Sequence, residues 1–257
     1  MKHPILVSLT LALAAGTAAA QDADFEWRGR LAEGRAIEIR GVNGDIRATA
    51  GAGEVRVLAD RSGRRNDPES VRIEVVEHAD GVTICAVYPT PRNARRENEC
   101  RPGGGPMSTG RNDVQVDFTV HVPSGVRFVG HTVNGNVDAA GIQADVRAET
   151  TNGSVDVRTT GFAQARSVNG NIFCRIGRAS FNGDVEFETV NGNVTIEMPD
   201  GLDADFRANT VNGSIDSDFS ILVSGKVTRR SLRGTIGDGG PELRLSTVNG
   251  SIKLRKI

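Results

Sequence analysis

Asparagine followed by glycine recurs through the second half of this chain at nearly constant spacing, and the residues on either side recur with it. The pairs are Asn134-Gly135, Asn152-Gly153, Asn169-Gly170, Asn191-Gly192, Asn212-Gly213 and Asn249-Gly250. A degenerate Arg233-Gly234 falls in step, an extra Asn182-Gly183 sits inside the longest step, and Val42-Asn43-Gly44 lies far upstream. Successive glycine steps are 18, 17, 22, 21, 21 and 16 residues, a mean period near 19. A fixed period of this length is the mark of a stacked repeat architecture and takes precedence over any local signal.

The flanking columns carry more than the pair itself. Two residues before the asparagine stands a hydroxyl (Thr132, Thr150, Ser167, Thr189, Thr210, Ser231, Thr247), and two after the glycine stands a β-branched residue (Val137, Val155, Ile172, Val194, Ile215, Ile236, Ile252). Alternation continues outward, as in Val194-Thr195-Ile196-Glu197-Met198, so a strand leads into each bend and another leads out. Asn-Gly between alternating segments is also the strongest short-range hairpin signal. Hairpins, however, do not require the same residue types in register at a constant interval. A solenoid does, because it sets equivalent residues above one another at about 4.8 Å.

The expected fold is therefore all-β: one parallel β-helix or β-solenoid domain over residues 21–257, with two short strands per coil of about 19 residues, clearest over 126–257. Aromatic residues make up 4% of the chain, as suits a thin interior filled by Val, Ile, Leu and Ala. Each bend glycine is expected to supply a positive φ. Ile196 and Ile215 should face inward, and Thr195 and Asp216 outward.

Before the repeats, strand-like runs at 36–40, 54–58, 71–77, 82–87, 114–122 and 126–129 suggest irregular first coils and a cap that covers the open end. Residues 90–113, rich in Arg, Asn, Gly and Pro, read as a long mobile loop. Residues 1–20 read as a signal peptide: Lys2 and His3, an apolar stretch, then Ala18-Ala19-Ala20 before Gln21. No segment of the mature chain is expected to span a membrane, so the protein is expected to be exported to the periplasm or the cell surface. In that oxidising setting Cys85 and Cys100 can form a bridge worth about 3 kcal/mol, while Cys174, alternating with Ile172 and Ile176, reads as a small core residue.

The tandem units GVNGDI, TVNGNV, TTNGSV, SVNGNI, ETVNGNV, NTVNGSI and STVNGSI resemble a family of bacterial exported proteins with an adhesin domain of unknown function, built from T-V-N-G-[DNS]-[VI] repeats. The resemblance covers roughly residues 36–254. It implies a surface adhesin and carries no catalytic or ligand residues with it.

Chemistry is sparse. Lys plus Arg number 31 against 32 for Asp plus Glu, which excludes the charge balance of a nucleic-acid or polybasic membrane binder. Neither a nucleophile elbow, a zincin helix nor a phosphate-binding loop is present. The bends hold too few carboxylates for a calcium β-roll and are expected to stack as an asparagine ladder instead. One Trp and one Tyr, both outside the repeats, argue against the alternative of a polysaccharide lyase or hydrolase. The reading is a non-catalytic envelope binding or structural module, without metal or cofactor, whose ligand is a protein or an anionic glycan. Arg92, Arg95, Arg96 and Arg101 form the candidate binding loop, because loops usually carry recognition.

Overall fold

The computed structural model describes residues 23–181, 183–224 and 228–257. The expected signal peptide and Asn182 lie outside the described residues.

The first part of the chain contains β1 (Phe25–Gly29), β2 (Ala36–Arg40), β3 (Ile46–Gly51), β4 (Val55–Ser62), β5 (Arg72–His78), β6 (Gly81–Val87) and β7 (Gln115–Pro123). Four regular coils follow: β8 (Arg127–His131) with β9 (Val137–Ile142), β10 (Val146–Glu149) with β11 (Val155–Thr159), β12 (Ala163–Arg166) with β13 (Ile172–Ile176), and β14 (Val185–Glu188) with β15 (Val194–Met198). The last part holds β16 (Ala204–Asn212), β17 (Ile215–Ser217), β18 (Ile221–Val223), β19 (Ser231–Ile236), β20 (Glu242–Asn249) and β21 (Ile252–Lys256).

These strands form two sheets, of ten and eleven strands, that face each other across one continuous apolar core. The first strand of every coil lies in the eleven-stranded sheet and the second in the ten-stranded sheet, joined in parallel to its neighbours. This is the β-solenoid that the repeat predicts. Within it, Ile196 is fully buried and Thr195 half-exposed, as the alternation requires. Ile215 is only half-buried, because β17 is the last strand of its sheet.

Coils do not stack in chain order. From one end to the other they run β6/β7, β2/β3, β8/β9, β10/β11, β12/β13, β14/β15, β20/β21, β16/β17. At the C-terminal end the chain leaves β15, skips one place to build β16/β17, crosses the antiparallel pair β18–β19, and returns to fill the gap with β20/β21. At the N-terminal end the same path is followed in reverse: β2/β3 lies one place in, and β6/β7 is laid outside it. Antiparallel strands then cover both ends, β4 on β7, β1 on β4 and β5 on β6 at one, β19 on β16 and β18 on β19 at the other. Arg233-Gly234, counted in the repeat by its spacing, thus lies within the antiparallel cap strand β19 and is not a bend.

Two further expectations are corrected. Phe118, Phe128, Phe187 and Phe206 are fully buried, so the core does accept rings. It does so by setting a large residue beside a small one: Phe187 stands opposite Ala165 on the next strand, and Phe128 closes over Gly130 on its own strand, where a Cβ would come within 3.1 Å of the ring. The glycines of the bends, moreover, are not chosen for positive φ. Only Gly44, at 119°, and Gly250, at the edge of that range at 159°, fall in it. The other five have no room for a side chain: a Cβ on Gly135, Gly153, Gly170, Gly192 or Gly213 would lie 1.8–2.0 Å from the carbonyl oxygen of the glycine in the adjacent coil.

Candidate functional site

The bend edge is built from three hydrogen-bonded columns. Each buried hydroxyl donates to the glycine carbonyl one coil away: Thr150 to Gly135 at 2.8 Å, Ser167 to Gly153 at 2.9 Å, Thr189 to Gly170 at 2.9 Å, Thr247 to Gly192 at 2.9 Å and Thr210 to Gly250 at 2.8 Å. The asparagines form a one-way ladder in which each side-chain amide donates to the carbonyl oxygen of the next. It runs from Asn212 through Asn249, Asn191, Asn169, Asn152 and Asn134 to Asn43, every step 2.7–2.8 Å. After the glycines, Asn136, Asn171 and Asn193 accept in turn from the backbone amides of Ser154, Asn193 and Ser251, each at 2.8 Å. Apart from Asp45, whose carboxylate accepts from the Asn136 amide at 2.8 Å, the edge satisfies itself with neutral groups, and among the described residues no group of three His, Cys, Asp or Glu is placed to hold a metal ion.

Residues 88–114 replace this bend in the β6/β7 coil. The stretch read as a mobile loop is tied down at several points. Cys85 and Cys100 are joined by a disulfide, with Cα atoms 5.6 Å apart, and together with Val87, Val76 and Met107 they form a small apolar cluster on the outer face of β6. Asn98, 9% exposed, donates to the carbonyls of Tyr88 (2.9 Å) and Ser108 (2.7 Å) and accepts from the Ser108 amide at 2.8 Å. The Tyr88 hydroxyl donates to Val114 O at 2.8 Å, and burial pushes its pKa up to about 12. Sequence reasoning missed this because the apolar anchors are single residues scattered in a polar stretch.

The tip of that loop meets the sheet at Glu38. This carboxylate, 7% exposed, accepts from Thr83 Oγ1 at 2.7 Å, Gly103 N at 3.0 Å and Arg40 Nη1 at 2.8 Å. Burial alone would raise its pKa, but the Gly103 amide, the Thr83 hydroxyl and the Arg40 guanidinium together hold it below the ordinary carboxylate value.

Glu38 and Gly103 mark one end of a groove of about 890 Å³ along the outer face of the eleven-stranded sheet. Its other wall is the connection from β13 to β14, where Phe181 meets Phe162 edge to face at 5.8 Å and Arg178 lies 5.6 Å from the Phe162 ring centre. On the floor, the Glu149 carboxylate accepts from Arg147 at 2.8 Å and lies 3.3 Å from His131 Nδ1. The contact with His131 is the largest cause that lowers the pKa of Glu149 to about 2, with Arg147 adding to it and burial opposing. In an adjoining pocket of about 410 Å³, Glu186 pairs with Arg166, and Glu242 lies 3.3 Å from both Arg207 and Arg244. Alternation along each strand brings these charges to one face, where Arg147 and Arg244 pair with a carboxylate two residues along their own strand, but the sequence gives no sign that His131, Arg166 and Arg207 reach theirs from a neighbouring coil.

Of the four arginines proposed for binding, Arg92, Arg95 and Arg96 are exposed on the outer part of the loop and do not line the groove. Arg101 is held by Glu99 at 2.5 Å.

Residues 107–255, more than half of the chain, match the family model described as Toastrack DUF4097. The chain belongs to this family. The Toastrack match begins inside the 88–114 loop, so β1 to β6 precede it, although Asn43 continues the same ladder. Among solved structures, a candidate cell adhesion protein of Clostridium sporogenes ATCC 15579 is 9% identical, with a TM-score of 0.46 over 91% of this chain and 99% of that one. A candidate adhesin of Bacteroides fragilis NCTC 9343 is 15% identical, with a TM-score of 0.36 over 91% and 96%. No curated protein matches the chain. Among the described residues of this Toastrack protein, no helix is long and apolar enough to cross a membrane.

Proposed function

We propose that this chain is an exported, non-catalytic binding module of the cell envelope. The observation that carries the reading is the internal neutralisation of the groove. Glu38 and Glu149 each hold a cation, while Asp145 and Asp184 accept the backbone amides of Phe162 and Glu242 at 2.9 Å. Glu38 and Glu149, held below the ordinary carboxylate range by these partners, are weak bases, which suits a rigid recognition surface better than acid and base chemistry. The exposed Arg92, Arg95 and Arg96, among the described residues without an ion-pair partner, supply the uncompensated positive charge for an anionic glycan or an acidic protein surface.

The test is a glycan and envelope-fraction binding screen with residues 21–257. Saturable binding that survives chelator, weakens at least about tenfold on joint replacement of Arg92, Arg95 and Arg96 by Glu, and gives no product supports the reading. Release of shortened polysaccharide points instead to a sugar-cleaving enzyme, and loss of binding on chelation points to a metal on the coils.

A further inference from the structure

At one end of the asparagine ladder the last bend carries no further asparagine, although Arg229 and Arg230 of the cap accept from the Ile215 and Thr210 amides on either side of it. At six bends the glycine amide donates to the asparagine carbonyl of the next coil: Gly44 to Asn134 at 2.9 Å, and Gly135, Gly153, Gly170, Gly192 and Gly250 to Asn152, Asn169, Asn191, Asn249 and Asn212, each at 3.0 Å. At each of those bends the asparagine Oδ1 also accepts from the next side chain. The seventh bend, Asn212-Gly213, differs on both counts. Among the described residues the Gly213 amide has no acceptor and the Asn212 Oδ1 no donor, so its side chain is fixed only by its own donation to Asn249 at 2.7 Å. Gly213 is also the one bend glycine that is exposed.

We propose that Asn212 is a site of spontaneous deamidation and that the ladder shields the other six asparagines from the same reaction. Asn-Gly is the sequence in which the following amide can most readily reach the side chain, since glycine has no Cβ to obstruct the approach. The Gly213 nitrogen attacks Asn212 Cγ and a new C–N bond forms. The bond from Cγ to Nδ2 then breaks, and the nitrogen leaves as ammonia with the proton lost from the Gly213 amide. Solvent water opens the resulting cyclic imide at either carbonyl, to aspartate or to isoaspartate. At Asn212 the nucleophilic amide has no acceptor among the described residues and one side-chain hydrogen bond has to break. At the other bends the amide must first give up its acceptor and the side chain two hydrogen bonds, both in the ladder except at Asn43, whose Nδ2 donates to Val114 O. Asn134, Asn152, Asn169, Asn191 and Asn249 are themselves exposed, so access of water does not distinguish them from Asn212. The hydrogen bonding does.

Peptide mapping by mass spectrometry with isoaspartate detection tests this on the folded protein, incubated at mildly alkaline pH and 37 °C. Asn212 is expected to convert first, at least about tenfold faster than any of the other six ladder positions. The same protein in denaturant provides the control, in which all seven should convert at similar rates. Equal conversion in the folded state, an interior asparagine leading, or an intact Asn212 while the denatured control reacts, each overturns the proposal. Asn182-Gly183, whose asparagine lies outside the described residues, is scored separately.

Discussion

Gly192 shows why the bends tolerate no other residue. Its virtual Cβ would sit 2.0 Å from Gly170 O, a backbone atom that can retreat only if two coils separate. Gly192→Ala is therefore expected to cost at least about 2 kcal/mol, measured by denaturant unfolding. Gly141→Ala is the comparison: φ is 69° there but nothing lies within 4 Å, so the cost is conformational strain alone, about 1 kcal/mol. Equal costs would place the constraint in backbone conformation rather than in coil contact. Glu149 allows a second test at this scale. Its pKa is lowered from 4.5 to about 2, so the native state favours the ionised form and the associated stability is present above pH 4.5 and is lost as pH falls toward 2. The stability difference between the parent and Glu149→Gln should shrink over that window, as followed by unfolding curves at a series of pH values.

The unit of element structure is the coil, and it is secured to its neighbours by its polar columns as much as by its core. Asn169→Ala removes two ladder bonds and Asn212→Ala one, so the first is expected to lower stability by about 1–2 kcal/mol and the second by about half as much. Matching losses at the two positions would mean that the ladder adds nothing beyond single contacts. The loop from 88 to 114 belongs to the same scale. Replacing Cys85 and Cys100 together by Ala should lower stability by up to about 3 kcal/mol and leave the far-ultraviolet β signal intact. The coils were legible in the sequence because stacking forces Thr, Asn, Gly and Val or Ile into columns, and columns can be read without knowing which coil lies next to which. The reason for the glycine was not legible, because positive φ and a close backbone contact select the same residue. Nor was the groove. Glu38 looks like any polar residue of an alternating strand until the Gly103 amide, 65 residues on, is found against it.

At the scale of the whole molecule the order of the coils matters more than their number. A solenoid that stacks in chain order loses only its last coil when it is truncated. Here, removal of residues 241–257 would empty a place between β15 and β17 and between β14 and β16, exposing strand edges in both sheets. Such a truncation is expected to yield aggregated protein, and hydrogen exchange of the intact chain should show β20 and β21 amides among the most protected despite their position. The same arrangement decides how the protein bears mechanical load. A pull on Ile257 cannot peel β21 from an edge one hydrogen bond at a time. It must draw the strand lengthwise from between β15 and β17, shearing both rows of bonds together. At the opposite end the edge strand β1 can peel from β4, after which β2 and β3 resist in the same way. The chain is thus built to hold its length under tension applied near its ends, and rupture should require far more force than unzipping an exposed terminal coil.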